Sequence, residues 1–249
     1  DHRDLHSFPT RRSSDLIFVF LALLGLALAA LTAWKLPETH PAAARQPLHP
    51  GPLARRYGQV FTTPGFLLLT FAVGLNFNGF FIYVLSAPVF LMRHLGLGET
   101  EFGWMFIPGV MGMMCGSALS ARLAGRLPPP RTIALGFALM LSAAAANLGV
   151  SFLMQPGLPQ SVLPIVLYNF GMAIAMPSLT LLALDHFPTH RGLAASCQSF
   201  LQMLVGAFTA GLVAPALWDT PGGLAGSMAA YLALGLCSFG LWKRYFHKA

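Results

Sequence analysis

Long apolar runs, each followed by a short polar or proline-bearing stretch, repeat along the chain. They cover Ile17–Trp34, Phe66–Met92, Phe102–Ala121, Thr132–Leu153, Val162–Leu184, Leu193–Trp218 and Leu224–Trp242. Each is close to the length, about 17 to 25 residues, at which a helix crosses a hydrocarbon core of roughly 30 Å. None shows the strict alternation over about ten residues that a membrane barrel strand requires. The pattern predicts an all-α integral membrane protein with seven transmembrane helices. Turn signals fall between the runs: Pro37, Pro41, Pro47, Pro50 and Pro52 in one long connection, Pro128 to Pro130 in another, then Pro156, Pro159, Pro188 and Pro221.

Composition narrows the class. The 249 residues are 55% hydrophobic and only 9% charged, against roughly 25% charged in a soluble domain. That excludes a soluble enzyme and a nucleic-acid module, and makes the lipid bilayer the chain's first partner. The net charge of +7 is carried between the apolar runs, where Lys and Arg set orientation by collecting on the cytoplasmic side. With the first sixteen residues set aside, Lys35, Arg45, Arg55, Arg56, Arg122, Arg126, Arg131, Arg191, Lys243, Arg244 and Lys248 fall on one side and only Arg93 on the other. The first side is therefore expected to be cytoplasmic, with the C-terminus on it. Cys115, Cys197 and Cys237 each sit inside an apolar run, with no disulfide framework and no metal-ligand spacing, so neither metal nor cofactor is implied. All eight histidines lie outside the spans, which leaves an intramembrane hydrolase without a base beside its nucleophile.

The N-terminal stretch HSFPTRRSSDL, His6 to Leu16, reads as a translated sequencing adapter, and the scar extends back to Asp1. A signal peptide fits worse, because Asp15 abuts the apolar run and the run's far end makes a poor cleavage site. On this reading residues 1–16 are excluded from fold reasoning, and the natural N-terminus is missing.

Polar side chains gather on single faces of three spans. Gln198, Gln202, Gly206 and Thr209 fall within about 80° of arc at roughly 100° per residue. Asn169, Ala173, Met176 and Thr180 form a second stripe, and Asn76 and Tyr83 share a face, with Asn78 nearly opposite. Adaptable Met and aromatic surface with scattered hydrogen-bonding groups suits a cavity for drug-like molecules. Interhelical glue is the competing reading, since such hydrogen bonds average only about 0.6 kcal/mol in membranes. The four-residue spacing of Gly112 and Gly116 predicts a close helix contact. Ionisable groups stay at the span ends, where Asp185 has Arg122, Arg126 and Arg191 as candidate partners for a cytoplasmic ion pair or gate.

Several motifs carry a family resemblance: LPET at Leu36 to Thr39, GFFIYVLSAPVFL at Gly79 to Leu91, and FG at Phe102 and Gly103. It continues through LYNFGMAIAMPSLTLLALDHFP at Leu167 to Pro188 and RGLAASCQSFLQ at Arg191 to Gln202. Together they resemble the second half of a major facilitator superfamily transporter of the Bcr/CflA drug-resistance branch. The resemblance implies that the seven spans match the family's sixth to twelfth helices. Residues 17–34 would then be the last helix of an N-terminal half, 35–63 a cytoplasmic connector and 64–249 the C-terminal six-helix bundle. It implies that the second and fifth spans line the substrate cavity, the third and sixth flank it, and the others face lipid. Asn76, Tyr83, Asn169, Met176, Gln198 and Gln202 become the candidate cavity residues. It further implies a multidrug exporter of the bacterial inner membrane, working by alternating access with proton antiport, whose partner is the missing N-terminal half and whose coupling carboxylate lies there. SARLAGR, Ser120 to Arg126, is a degenerate copy of the family's signature loop, with Arg122 where that loop is acidic. A seven-helix receptor or structural subunit without transport activity is the alternative.

Overall fold

The computed structural model describes residues 10–37 and 50–246. It divides the chain into two compact units, Asp1–Pro50 and Gly51–Ala249. Connector residues 38–49 and the tail after Phe246 lie outside the described residues.

The first unit contains α1, Thr10–Lys35. Its apolar part, Asp15–Lys35, is long enough to cross a membrane. The helix starts ahead of Ile17, inside the stretch read from the sequence as a scar. Leucines on every face leave no polar stripe, which is the composition of a span whose whole circumference meets apolar surroundings.

α2, Pro50–Phe61, starts at the boundary between the units and is a helix inside the stretch read as a connector. Prolines at its start lack only N–H groups that a first helical turn leaves unpaired. Leu53, Tyr57 and Val60 then recur on one face, and Val60 is fully buried. Phe61 ends the helix edge-on to Phe200, with ring centroids 6.2 Å apart.

Six membrane-length helices follow: α3, Pro64–Leu85; α4, Gly103–Leu123; α5, Pro129–Leu153; α6, Leu163–Leu184; α7, Arg191–Phe208; and α9, Pro221–Phe246. The run read as one span from Phe66 to Met92 breaks after Leu85 and resumes as a wide π-helical turn at Val89–His94. Pro88 explains the interruption, because it has no N–H for the helical ladder. A second π-helical turn, Thr209–Val213, joins α7 to the short α8, Ala214–Leu217.

α3 and α6 form the middle of the bundle. α3 packs on α9, α6 and α7; α6 packs on α5, α4 and α3; and α5 closes against α9. α4 and α7 bury the smallest share of their surfaces, while α5 and α9 bury more than either. The spans expected to face lipid thus contribute to the interior, because each turns one face inward. Lipid tails are as apolar as leucine, so membrane helices associate through close packing rather than a hydrophobic drive. The seams here show it. A Cβ on Gly112 would stand 2.7 Å from the Val166 carbonyl oxygen, and one on Gly116 2.4 Å from that of Phe170. A Cβ on Gly136 of α5 would likewise stand 2.6 Å from the Gly171 oxygen and from the Ala175 Cβ of α6. The α4 contact is the one that the Gly112–Gly116 spacing predicts.

The orientation read from Lys and Arg has a direct test. With the native cysteines replaced, Ala124→Cys in the α4–α5 loop should resist a membrane-impermeant maleimide applied to intact cells. Thr100→Cys, on the face that carries only Arg93, should label. The reverse pattern would overturn the assignment.

Candidate functional site

The polar residues of the bundle fall into two groups. One is enclosed among α3, α5, α6 and α9. Tyr83 is buried there with its ring edge-on to Phe90, centroids 5.1 Å apart, and its hydroxyl accepts a 2.7 Å hydrogen bond from Asn147 Nδ2. Tyr168 of α6 donates to the Asn76 backbone oxygen at 3.0 Å, reaching it over Gly79, where any Cβ would collide with the Tyr168 hydroxyl. Asn76 itself turns toward α9: its Oδ1 lies 2.6 Å from where a Gly235 Cβ would be. Both polar atoms of its side chain are buried without a hydrogen-bond partner.

The second group lies along α6 and α7. Gln198 Nε2 donates to Thr180 Oγ1 at 3.4 Å, a long bond and so a weak one. Met176, one turn before Thr180, is half-buried. Asn169 Nδ2 makes an equally long bond to the Gly109 oxygen of α4, 3.4 Å, and its Oδ1 has no partner. Gln202 packs against Gly74 of α3 at 3.5 Å from that residue's Cβ position. Just past α7, Thr209 donates to the Val205 oxygen at 2.8 Å, which leaves the Tyr231 hydroxyl to donate to Thr209 at 2.6 Å. The six candidate cavity residues therefore do not converge on one point. Asn76 and Tyr83 belong to the enclosed group, and Asn169, Met176, Gln198 and Gln202 to the α6–α7 side.

Asn147 and Tyr231 stand on the fourth and seventh spans, which the family resemblance places toward lipid. The structure makes them the partners of Tyr83 and Thr209. The signal was present, since a lone amide in a span needs a partner, but only the packing names that partner.

Charges sit at the helix ends. Arg191 Nη2 donates to Asp185 Oδ1 at 2.6 Å. Both side chains are more than half exposed, so the pair adds little to stability. Arg122 and Arg126, the other candidates for Asp185, make no ion pair with it. At the opposite end Arg93 pairs with Asp219 at 2.9 Å, and His94 Nε2 lies 2.8 Å from the Trp218 oxygen. Together they tie the π-helical turn after α3 to the turn before α9. Among the described residues no group of His, Cys, Asp and Glu is arranged to hold a metal ion.

Comparison with known proteins places the chain in a family. The chain is 25% identical over 237 residues to a bicyclomycin resistance protein homolog of Haemophilus influenzae, covering 90% of this chain and 56% of that protein. It is 27% identical over 241 residues to the multidrug transporter MdfA of Edwardsiella ictaluri, covering 96% and 55%. It is 25% identical over 186 residues to the chloramphenicol resistance protein CraA of Acinetobacter baumannii, covering 72% and 44%. The chain thus spans about half the length of these relatives, and the first of them agrees with the Bcr/CflA branch read from the motifs. The Major Facilitator Superfamily profile matches residues 12–211, most of the helical bundle included, and so the chain belongs to that superfamily of membrane transporters, which are not enzymes.

Proposed function

We propose that the chain supplies the C-terminal six-helix bundle, with the helix before it, of a secondary active multidrug efflux transporter in a bacterial inner membrane. The carrying observation is the α6–α7 side, where half-buried Met176 lies beside the long Gln198–Thr180 hydrogen bond. Deformable thioether surface and loosely held amides suit varied apolar substrates. Asn169, Met176, Gln198 and Gln202 line this bundle's share of the cavity, while Tyr83, bonded to Asn147, and Asn76, packed toward Gly235, lie behind it. The names of the three relatives support a drug-like substrate.

Alternating access rocks one bundle against another around a site between them. The partner bundle in this reading is an N-terminal half of the same transporter, and the large exposed faces of α4 and α7 are where the two halves meet. The carboxylate that couples export to proton entry belongs to that half. Asp185 and Arg191 form the ion pair at the cytoplasmic edge, with Arg122 and Arg126 nearby in the signature-like loop, and the C-terminus is cytoplasmic.

Drug accumulation in cells tests this. The complete transporter should lower accumulation in an energy-dependent way, whereas cells producing only this chain should match an empty-vector control. Efflux by the chain alone would sink the two-bundle reading. No efflux by the complete transporter would favour the receptor or structural subunit instead.

A further inference from the structure

The α4–α5 corner contains a cavity that the transport reading does not use. It has a volume of about 450 Å³ and lies between the end of α4, the loop through Gly125 and the Pro177 region of α6, within the roughly 300 to 1,000 Å³ typical of small-ligand sites. Its wall divides by chemistry. Pro177 and Leu181 supply an apolar side, and Ser120, Thr132, Ser178 and Arg126 supply a polar one.

Two groups on the polar side have no protein partner among the described residues. Thr132 is only 4% exposed. Its backbone N–H bonds the Pro128 oxygen at 3.3 Å, but its hydroxyl has no partner among the described residues. Ser120 differs, since its hydroxyl donates to the Ile174 oxygen at 3.2 Å. Arg126 forms no ion pair among the described residues. The α5 backbone offers no substitute donors: Pro129 and Pro130 have no N–H, and the N–H groups of Arg131 and Thr132 are taken by Pro128. On the α5 side, an anion in the cavity is held by side chains. Arg122 and Arg131 are exposed nearby and add positive potential.

We infer that this cavity is a phosphate site for an anionic phospholipid of the leaflet on the arginine-rich membrane face. Arg126 and the Thr132 hydroxyl contact the phosphate, and the glycerol and first methylenes lie against Pro177 and Leu181. The amphipathic wall favours a lipid over a free anion, because inorganic phosphate would leave the apolar side uncovered. Basic pockets between membrane helices recognise headgroups by this combination.

Native mass spectrometry of the full chain, released from detergent with equimolar phosphatidylglycerol and phosphatidylcholine, tests the inference. Phosphatidylglycerol should be retained preferentially. Arg126→Gln should weaken its retention about fivefold, the factor one cation near an anionic surface supplies. Thr132→Val should also weaken it, while Arg131→Gln, outside the cavity wall, should weaken it less than Arg126→Gln does. Equal losses from Arg126→Gln and Arg131→Gln, with Thr132→Val silent, would mean diffuse surface charge and overturn the site. Displacement of the lipid by millimolar inorganic phosphate would make it a soluble-anion site and overturn the lipid assignment. Arg126 lies in an exposed loop, so its variant keeps the test informative even if Thr132→Val disturbs the start of α5.

Discussion

Gly116→Ala is expected to destabilise the bundle by about 3 kcal/mol, the upper end of the cost of adding carbon to a filled interior. The new Cβ would stand 2.4 Å from the Phe170 oxygen and 2.9 Å from the Ala173 Cβ. Neither neighbour is the free end of a flexible chain, so relief requires moving α4 away from α6. That movement also opens the Gly112 contact one turn away, so the loss exceeds a single clash. Gly226 of α9 is the control. A Cβ there meets nothing within 4 Å, and Gly226→Ala should gain up to about 1 kcal/mol from helix propensity alone. Cys197 supplies the readout, being buried while Cys115 and Cys237 are exposed. In a Cys115→Ser, Cys237→Ser background, its reaction with a thiol dye on heating reports unfolding. Equal midpoints for the two glycine variants would show that the α4–α6 seam is loose.

The same glycines show what was legible in the sequence. Apolar run length located every long helix because hydrocarbon thickness fixes it, and the Gly112–Gly116 spacing named a contact because small residues at four-residue intervals share a face. Boundaries went wrong where a proline has two meanings. Pro50 and Pro52 read as turn residues, yet they begin α2, and Pro88 divides a run whose hydropathy never falls. Neighbours were the hardest to read. A helical wheel gives the direction of Asn76 or Asn147 around its own axis, but not what stands there. That Asn147 faces Tyr83, and that Asn76 faces Gly235, depends on how α3, α5 and α9 meet.

That distinction separates the effects of two substitutions in the complete transporter. Gln198→Leu should change which compounds are exported, with about a tenfold loss of resistance to those that hydrogen-bond the amide, the scale of one charge-free or weakly charged hydrogen bond. Its bond to Thr180 is 3.4 Å long, so the fold loses little and membrane abundance should hold. Asn76→Leu should do the opposite. Leucine has the same number of side-chain heavy atoms as asparagine, and it removes two buried polar atoms that have no partner. Replacing unsatisfied polar groups by apolar ones of similar shape is neutral or stabilising, so the thermal midpoint should hold or rise while the drug profile stays unchanged. The tight approach of Asn76 to Gly235 sets the limit, because Leu is tetrahedral where the amide is flat. If Asn76→Leu instead alters the drug profile at normal abundance, Asn76 reaches the substrate path, and the division between an enclosed group and an α6–α7 cavity side fails. If Gln198→Leu lowers abundance with the profile unaltered, its amide is interhelical glue.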